Sequence, residues 1–160
     1  MTNKVNHPFK PLYDKDSKIL ILGSFPSVKS REQNFYYGHP QNRFWKVLAT
    51  IYNEETPITI EDKKLFLHKN HIALWDSIQS CEINGSADSS ITNVKPNDIN
   101  NLLKKTLIKN IYCNGKTSYK IYDKYIFSQT HIKAVCLPST SPANAIYSLD
   151  KLIDEWKIIK

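Results

Sequence analysis

Four short apolar runs, each closed by a cluster of small polar residues, constrain this chain more than any other feature. They are KILIL at 18–22, HIALW at 71–75, NIYC at 110–113 behind Leu107 and Ile108, and IKAVCL at 132–137. Runs of this length, rich in Ile, Leu and Val, read as strands buried on both faces. They end in GSFPS, DS, NGKTS and PSTSP, the chemistry of turns and helix caps. Between them the apolar spacing becomes helical. Residues 42–52 place Phe44, Trp45, Leu48 and Ile51 near one face, 96–107 open on Pro96-Asn97-Asp98 and carry Ile99, Leu102 and Leu103, and 117–127 carry Tyr119, Tyr122 and Ile126. Strand and helix therefore alternate, which predicts an α/β fold: one parallel sheet of about four strands with right-handed crossovers and helices on both faces.

A chain of 160 residues suits one domain over its whole length, and 41% hydrophobic residues argue against wholesale disorder. No apolar run approaches the roughly 20 residues that span a bilayer, and the opening MTNKVNHPFKPLYDKDSK lacks the apolar core of a signal peptide. The expected location is the cytoplasm. Cys81, Cys113 and Cys136 are far apart and form no C-x-x-C pair, so buried reduced thiols are expected rather than disulfides or zinc. His7, His39, His68, His71 and His131 share no ligand spacing. No metal is expected, and without G-x-x-x-x-G-K-[ST] or G-x-G-x-x-G no nucleotide cofactor is either.

The net charge is +7, and residues 95 to 133 carry Lys95, Lys104, Lys105, Lys109, Lys116, Lys120, Lys124 and Lys133 against only Asp98 and Asp123. Tyrosines 112, 119, 122 and 125 are interleaved with them. Such a mixture suits a phosphate backbone, and equally an amphipathic helix whose lysine stems cover its aromatics.

In open α/β sheets the ligand sits beyond the carboxyl ends of the strands. Here those ends deliver Gly23-Ser24-Phe25-Pro26-Ser27, Asp76-Ser77, Asn114-Gly115-Lys116-Thr117 and Pro138-Ser139-Thr140-Ser141-Pro142-Ala143-Asn144. The stretch from about Ser24 to Pro40 is too polar for core and too aromatic for a plain linker, and a loop this long points to function.

The motifs LILGSFPSVKS, FYYGHPQNRFW, ALWDSI followed by CEINGSADSSI, IYCNG and LPSTSPAN resemble those of the uracil-DNA glycosylase superfamily, most closely its hypoxanthine-DNA (deoxyinosine) glycosylase branch. The resemblance runs from about residue 7 to 147. It implies a three-layer α/β/α sandwich around a four-stranded parallel sheet and a monomeric, monofunctional enzyme. The implied activity removes a deaminated base, hypoxanthine first, from double-stranded DNA and leaves an abasic site. Uracil or xanthine as the base, or a non-catalytic DNA-binding module, are the alternatives. Relatives that prefer uracil carry an asparagine in G-I-N-P-G where this chain has Phe25, which weighs against uracil.

By resemblance Asn42 is the essential residue, Tyr37 stacks on the flipped base, and LPSTSPAN enters the minor groove. An amide has no useful pKa, so Asn42 is expected to accept a hydrogen bond from water and orient it at C1′; capping the following helix is its other reading. Asp76, after the second strand, would assist the water, hold a base N–H, or cap. At the base we place Ser24, Phe25, Tyr37, His39 and Asn114. Phe25 either sandwiches the base with Tyr37 or plugs the core, and His39 either donates to the ligand or braces its turn. Ser27, Ser30, Arg43, Lys116, Ser139, Thr140, Ser141 and Asn144 are the candidate DNA contacts, and Asp88 reads as structural.

Overall fold

The computed structural model of the protein describes residues 3–7, 9–25 and 35–160. The described residues include seven strands: β1 (Asn3–Asn6), β2 (Ile19–Gly23), β3 (Ile72–Asp76), β4 (Ile78–Ile83), β5 (Thr92–Pro96), β6 (Asn110–Asn114) and β7 (Val135–Leu137). Four of them form the expected parallel sheet in the order β3-β2-β6-β7. Every residue of β2 is buried, as a central strand covered on both faces requires.

Alternation along the strands divides the core. Ile19, Ile21, Ile72, Leu74 and Tyr112 face α1 (Phe44–Ile51), α2 (Ile60–Lys69) and α6 (Leu149–Trp156), meeting Phe44, Val47, Leu48, Phe66, Leu67, Leu152 and Trp156. The opposite face, Leu20, Leu22, Ala73, Ile111 and Cys113, packs on α3 (Ile99–Lys104) through Ile99 and Leu102. Tyr122 and Ile126 complete that side from a π-helical turn, Tyr122–Ile126, which joins α4 (Lys116–Ile121) to α5 (Phe127–Thr130). The result is a three-layer α/β/α arrangement. Thr59, Asp98 and Ser148 cap α2, α3 and α6 by accepting from Asp62, Asn101 and Lys151 N–H at 3.0, 3.1 and 3.2 Å, each satisfying an otherwise orphaned donor.

The apolar runs gave no sign of a second sheet, antiparallel, in the order β1-β4-β5. The sequence conceals it because β5 is TNVKP, mostly exposed, and its pairing with β4 is broken by register shifts. β1 matters most for the site, since His7 follows it directly and donates its N–H to Gln79 O at 2.6 Å. The last strand is also shorter than expected: Ile132, Lys133 and Ala134 lie outside β7, and on that edge Cys136 is exposed, whereas Cys81 and Cys113 are buried.

The topology divides the lysines between two ends of the sheet. Lys109 N–H bonds Lys18 O at 3.2 Å and Leu107 N–H bonds Ser17 O at 3.1 Å, so the end of α3, with Lys104 and Lys105, lies at the amino edge of the sheet. Lys133, just before β7, is at the same edge. Lys116, at the start of α4, is at the carboxyl edge. The run of positive charge from 95 to 133 is therefore not one face. Among the described residues, no helix is long and apolar enough to cross a membrane.

Candidate active site

Parity and register place Gly23, Asp76 and Asn114 side by side. Gly23 pairs with Asp76 across β2 and β3, while Leu22 pairs with Cys113 on β6, one residue before Asn114. The three thus share the α1 and α6 face at the carboxyl ends of adjacent strands. Gly23 is required by close approach: a Cβ there would lie 2.3 Å from Asp76 Oδ1 and 3.0 Å from the Tyr37 hydroxyl. The carboxylate leans over bare backbone.

Asp76 is 3% exposed. Its Oδ2 lies 2.6 Å from His7 Nε2, and the two side chains are 4% and 2% exposed. The Asn97 side-chain amide donates to Asp76 O at 2.8 Å and Ser77 N–H donates to Gly23 O at 2.7 Å, which fixes the strand end beneath the carboxylate. Tyr37 has a left-handed backbone, φ 52°, and its ring stacks on Phe44 at 3.9 Å and 19°. One ring face is thereby covered. The Tyr37 hydroxyl is buried and, among the described residues, makes no hydrogen bond of good geometry. Burial first, and the Asp76 charge second, push it well above the ordinary tyrosine range, although the Asn114 side chain acts in the opposite direction.

A hydrogen-bonded chain runs from Asn114 to Asn42. The Asn114 amide grips Thr140 at two points, donating to Oγ1 and accepting from N–H, both at 3.0 Å. The Thr140 hydroxyl in turn donates to Asn42 Oδ1 at 2.8 Å. The same oxygen accepts Phe44 N–H at 3.0 Å, so Asn42 does cap α1. Both lone pairs of Oδ1 are thus occupied. The expectation that Asn42 accepts from water is corrected in polarity: what remains is its NH2 group, a donor.

Arg43 shapes the loop after β7. Its guanidinium donates to Tyr147 O, to Ser141 O at 3.1 Å and to Asn144 O at 3.1 Å. Within that loop Ser139 Oγ accepts Ser141 N–H at 3.1 Å, Ser141 Oγ accepts Ala143 N–H at 3.2 Å, and the Asn144 side chain donates to Ser139 O at 3.0 Å. Thr140 is fully buried. Arg43 and Thr140, expected on DNA, turn their hydrogen bonds inward and present the loop, with Arg43 Nε buried and unpaired among the described residues; Ser139, Ser141 and Asn144 do so in part. Their backbone and the exposed Ala143 and Ile146 form its outer surface.

Phe25 joins Ile78, Cys81, Ile83 and Ile121 in a cluster beneath the small sheet, its ring edge-on to His7 at 5.9 Å. This is the core reading of Phe25. It belongs to a different cluster from Tyr37. His39 braces its turn, with Nδ1 accepting Gln41 N–H at 3.1 Å and its carbonyl accepting Asn42 N–H at 2.9 Å. Lys116 is exposed at the carboxyl edge. Ser27 and Ser30 lie outside the described residues. Ser24 donates to Asp88 Oδ1 at 3.3 Å, which brings a second carboxylate toward the site. Desolvation, then Asp76, push the Asp88 carboxyl up, against the Ser24 and Thr117 hydroxyls that hold it down. Sequence reasoning missed His7, because nothing in NHPF marks a partner 69 residues away. Among the described residues, no group of three or more His, Cys, Asp or Glu is arranged to hold a metal.

Comparison with known proteins bears on the same constellation. The model of the Uracil DNA glycosylase superfamily matches residues 10–159. A protein of Methanosarcina acetivorans named hypoxanthine DNA glycosylase is 32% identical over 157 residues, 97% of this chain and 98% of the relative. One of the same name from Methanosarcina barkeri is 36% identical over 115 residues, 69% of this chain and 71% of the relative. The solution NMR structure of a candidate uracil DNA glycosylase from M. acetivorans superposes with a TM-score of 0.82 at 31% identity, covering 94% of this chain and 93% of that one. With its four-stranded parallel sheet, its strand-end site and a match across nearly its full length, this chain belongs to the uracil DNA glycosylase superfamily.

Proposed function

We propose that this protein is a monofunctional DNA glycosylase that hydrolyses the N-glycosidic bond of deoxyinosine in double-stranded DNA and releases hypoxanthine. The observation that carries this reading is that one end of the sheet holds a buried carboxylate, Asp76, leaning over Gly23, and a locked amide, Asn42, tied to the end of β6 through Thr140 and Asn114. The chain holding them matches, almost end to end, a protein named hypoxanthine DNA glycosylase. Extruding a base costs a few kcal/mol, least for a mispaired one. The half-buried Tyr37 ring, stacking on the extruded base, offsets that cost by roughly 1–3 kcal/mol.

In the chemical step the C1′–N9 bond breaks and its electron pair leaves with the purine, which takes a proton from solvent. The water oxygen bonds to C1′, and its proton passes to Asp76 Oδ1 and on to solvent. The Asn42 NH2 group donates to that water and holds it in line, a positioning role typically worth several kcal/mol in the transition state. Phe25, packed in the core where uracil-preferring relatives have asparagine, supports a purine over uracil. The protein works as a single domain and a monomer, in the compartment that holds the DNA.

Duplexes bearing one inosine, uracil or xanthine, incubated with excess protein and then with alkali, test the reading. Strand breaks at inosine, only after alkali and lost by orders of magnitude in Asn42→Ala, are expected. No break at any base would refute the activity, and faster cleavage at uracil would refute the substrate.

A further inference from the structure

Two charged or chargeable side chains buried together call for an explanation, because removing them from water costs several kcal/mol each and a well-packed apolar pair is often as stable. His7 and Asp76 are such a pair, at 2.6 Å. The rings of Phe9, Phe25 and Tyr36 surround His7, with centroids at 5.4, 5.9 and 5.9 Å. Stability alone does not account for an imidazole in that aromatic box.

Geometry gives a better account. His7 Nδ1 is tied to its own segment, 2.8 Å from Phe9 O and 3.1 Å from Phe9 N. With Nδ1 accepting the Phe9 N–H, Nε2 carries the proton and donates it to Asp76 Oδ2. His7 therefore occupies Oδ2 and leaves Oδ1 leaning over Gly23, where no Cβ intervenes. We infer that His7 is a positioning residue for the glycosylase reaction: its Nε2–H pins one oxygen of Asp76 so that the other stays aimed at the water. In the familiar triad a carboxylate orients a histidine; here the order is reversed.

This inference rests on the proposed excision reaction. Among the described residues, the other groups acting on Asp76 are few. Tyr36 and Tyr37, from the segment before α1, are both held neutral by burial. Asp88, between β4 and β5, is a second carboxylate, held by the Ser24 hydroxyl. Asn97 reaches only the Asp76 carbonyl. His7 is the positive or donating partner among them. Without its N–H the carboxylate loses a donor that favours its charged form.

Single-turnover excision from an inosine duplex, measured across pH for wild type, His7→Gln, Asp76→Asn and the double variant, tests this. His7→Gln should melt within a few degrees of wild type and bind the duplex, yet lose roughly tenfold or more in rate at neutral pH. Its acid limb should move to higher pH, so that the loss shrinks in alkali. Added to Asp76→Asn, His7→Gln should cost nothing further. An unchanged pH profile, or losses that multiply in the double variant, overturns the inference. If the variant does not fold, nitrogen-15 spectra of wild-type His7 decide: Nε2 must be protonated wherever the enzyme is fully active, and a bare Nε2 overturns it. Wild-type inactivity on inosine refutes the function itself, before any His7 variant is made.

Discussion

Gly23→Ala separates the site from the fold more cleanly than any other substitution. Gly23 is not among the residues with a positive φ, so alanine fits the backbone and the whole effect is steric. The new Cβ would meet Asp76 Oδ1 at 2.3 Å, whereas ordinary contact begins near 3.4 Å. The carboxylate must therefore retreat by about 1.1 Å, the difference of those two values. It has little room to do so, because Oδ2 is held by His7 at 2.6 Å and the side chain is buried. Overpacking of this kind costs about 1–3 kcal/mol, and disturbing a hydrogen bond to a charged group about 1.5–3 kcal/mol. A total of about 2.5–6 kcal/mol lowers the melting temperature of a chain this size by roughly 5–24 °C. The rate should suffer more, because a misplacement of about 1 Å can cost on the order of 100-fold. Calorimetry and single-turnover excision at a temperature well below melting check the two effects separately. Wild-type rate in the alanine variant would refute the placement of Asp76 Oδ1 at the reaction centre.

Thr140→Val should cost about 1–3 kcal/mol by leaving polar partners unmatched and slow excision by freeing the Asn42 amide, measured by thermal denaturation and single-turnover kinetics. Lys116→Ala should reduce the slope of log affinity against log salt by about 1, whereas Lys109→Ala, at the opposite edge, should leave it unchanged; DNA binding titrated at several salt concentrations distinguishes them. Burial pushes the Cys113 thiol up to about 12, while Cys136 is exposed. A thiol-specific alkylating reagent applied to the native protein should therefore modify Cys136 and spare Cys113, as read by peptide mass mapping.

How much of this was legible in the chain can be followed residue by residue. The apolar runs located β2, β3, β6 and β7 to within a few residues, because a strand buried on both faces must be continuously apolar. The rule that ligands gather at carboxyl strand ends then brought Asp76, Asn114 and Thr140 to one place, and the motifs singled out Asn42 and Tyr37. The small sheet was invisible because its pairing is short, polar and irregular, and such strands are stabilised by neighbours rather than by their own pattern. Roles within the site were equally beyond the sequence. Arg43 has the charge of a DNA contact, and only the fold shows its two terminal nitrogens bound to the carbonyls of residues 141, 144 and 147. Asn42 has an acceptor and a donor, and only Thr140 and Phe44 decide which of them remains. His7 meets Asp76 across 69 residues. Local sequence determines which backbone a segment prefers and which groups it carries, but a polar side chain's function depends on which of its atoms are left unpaired, and that is settled by partners that tertiary structure alone brings within 3 Å.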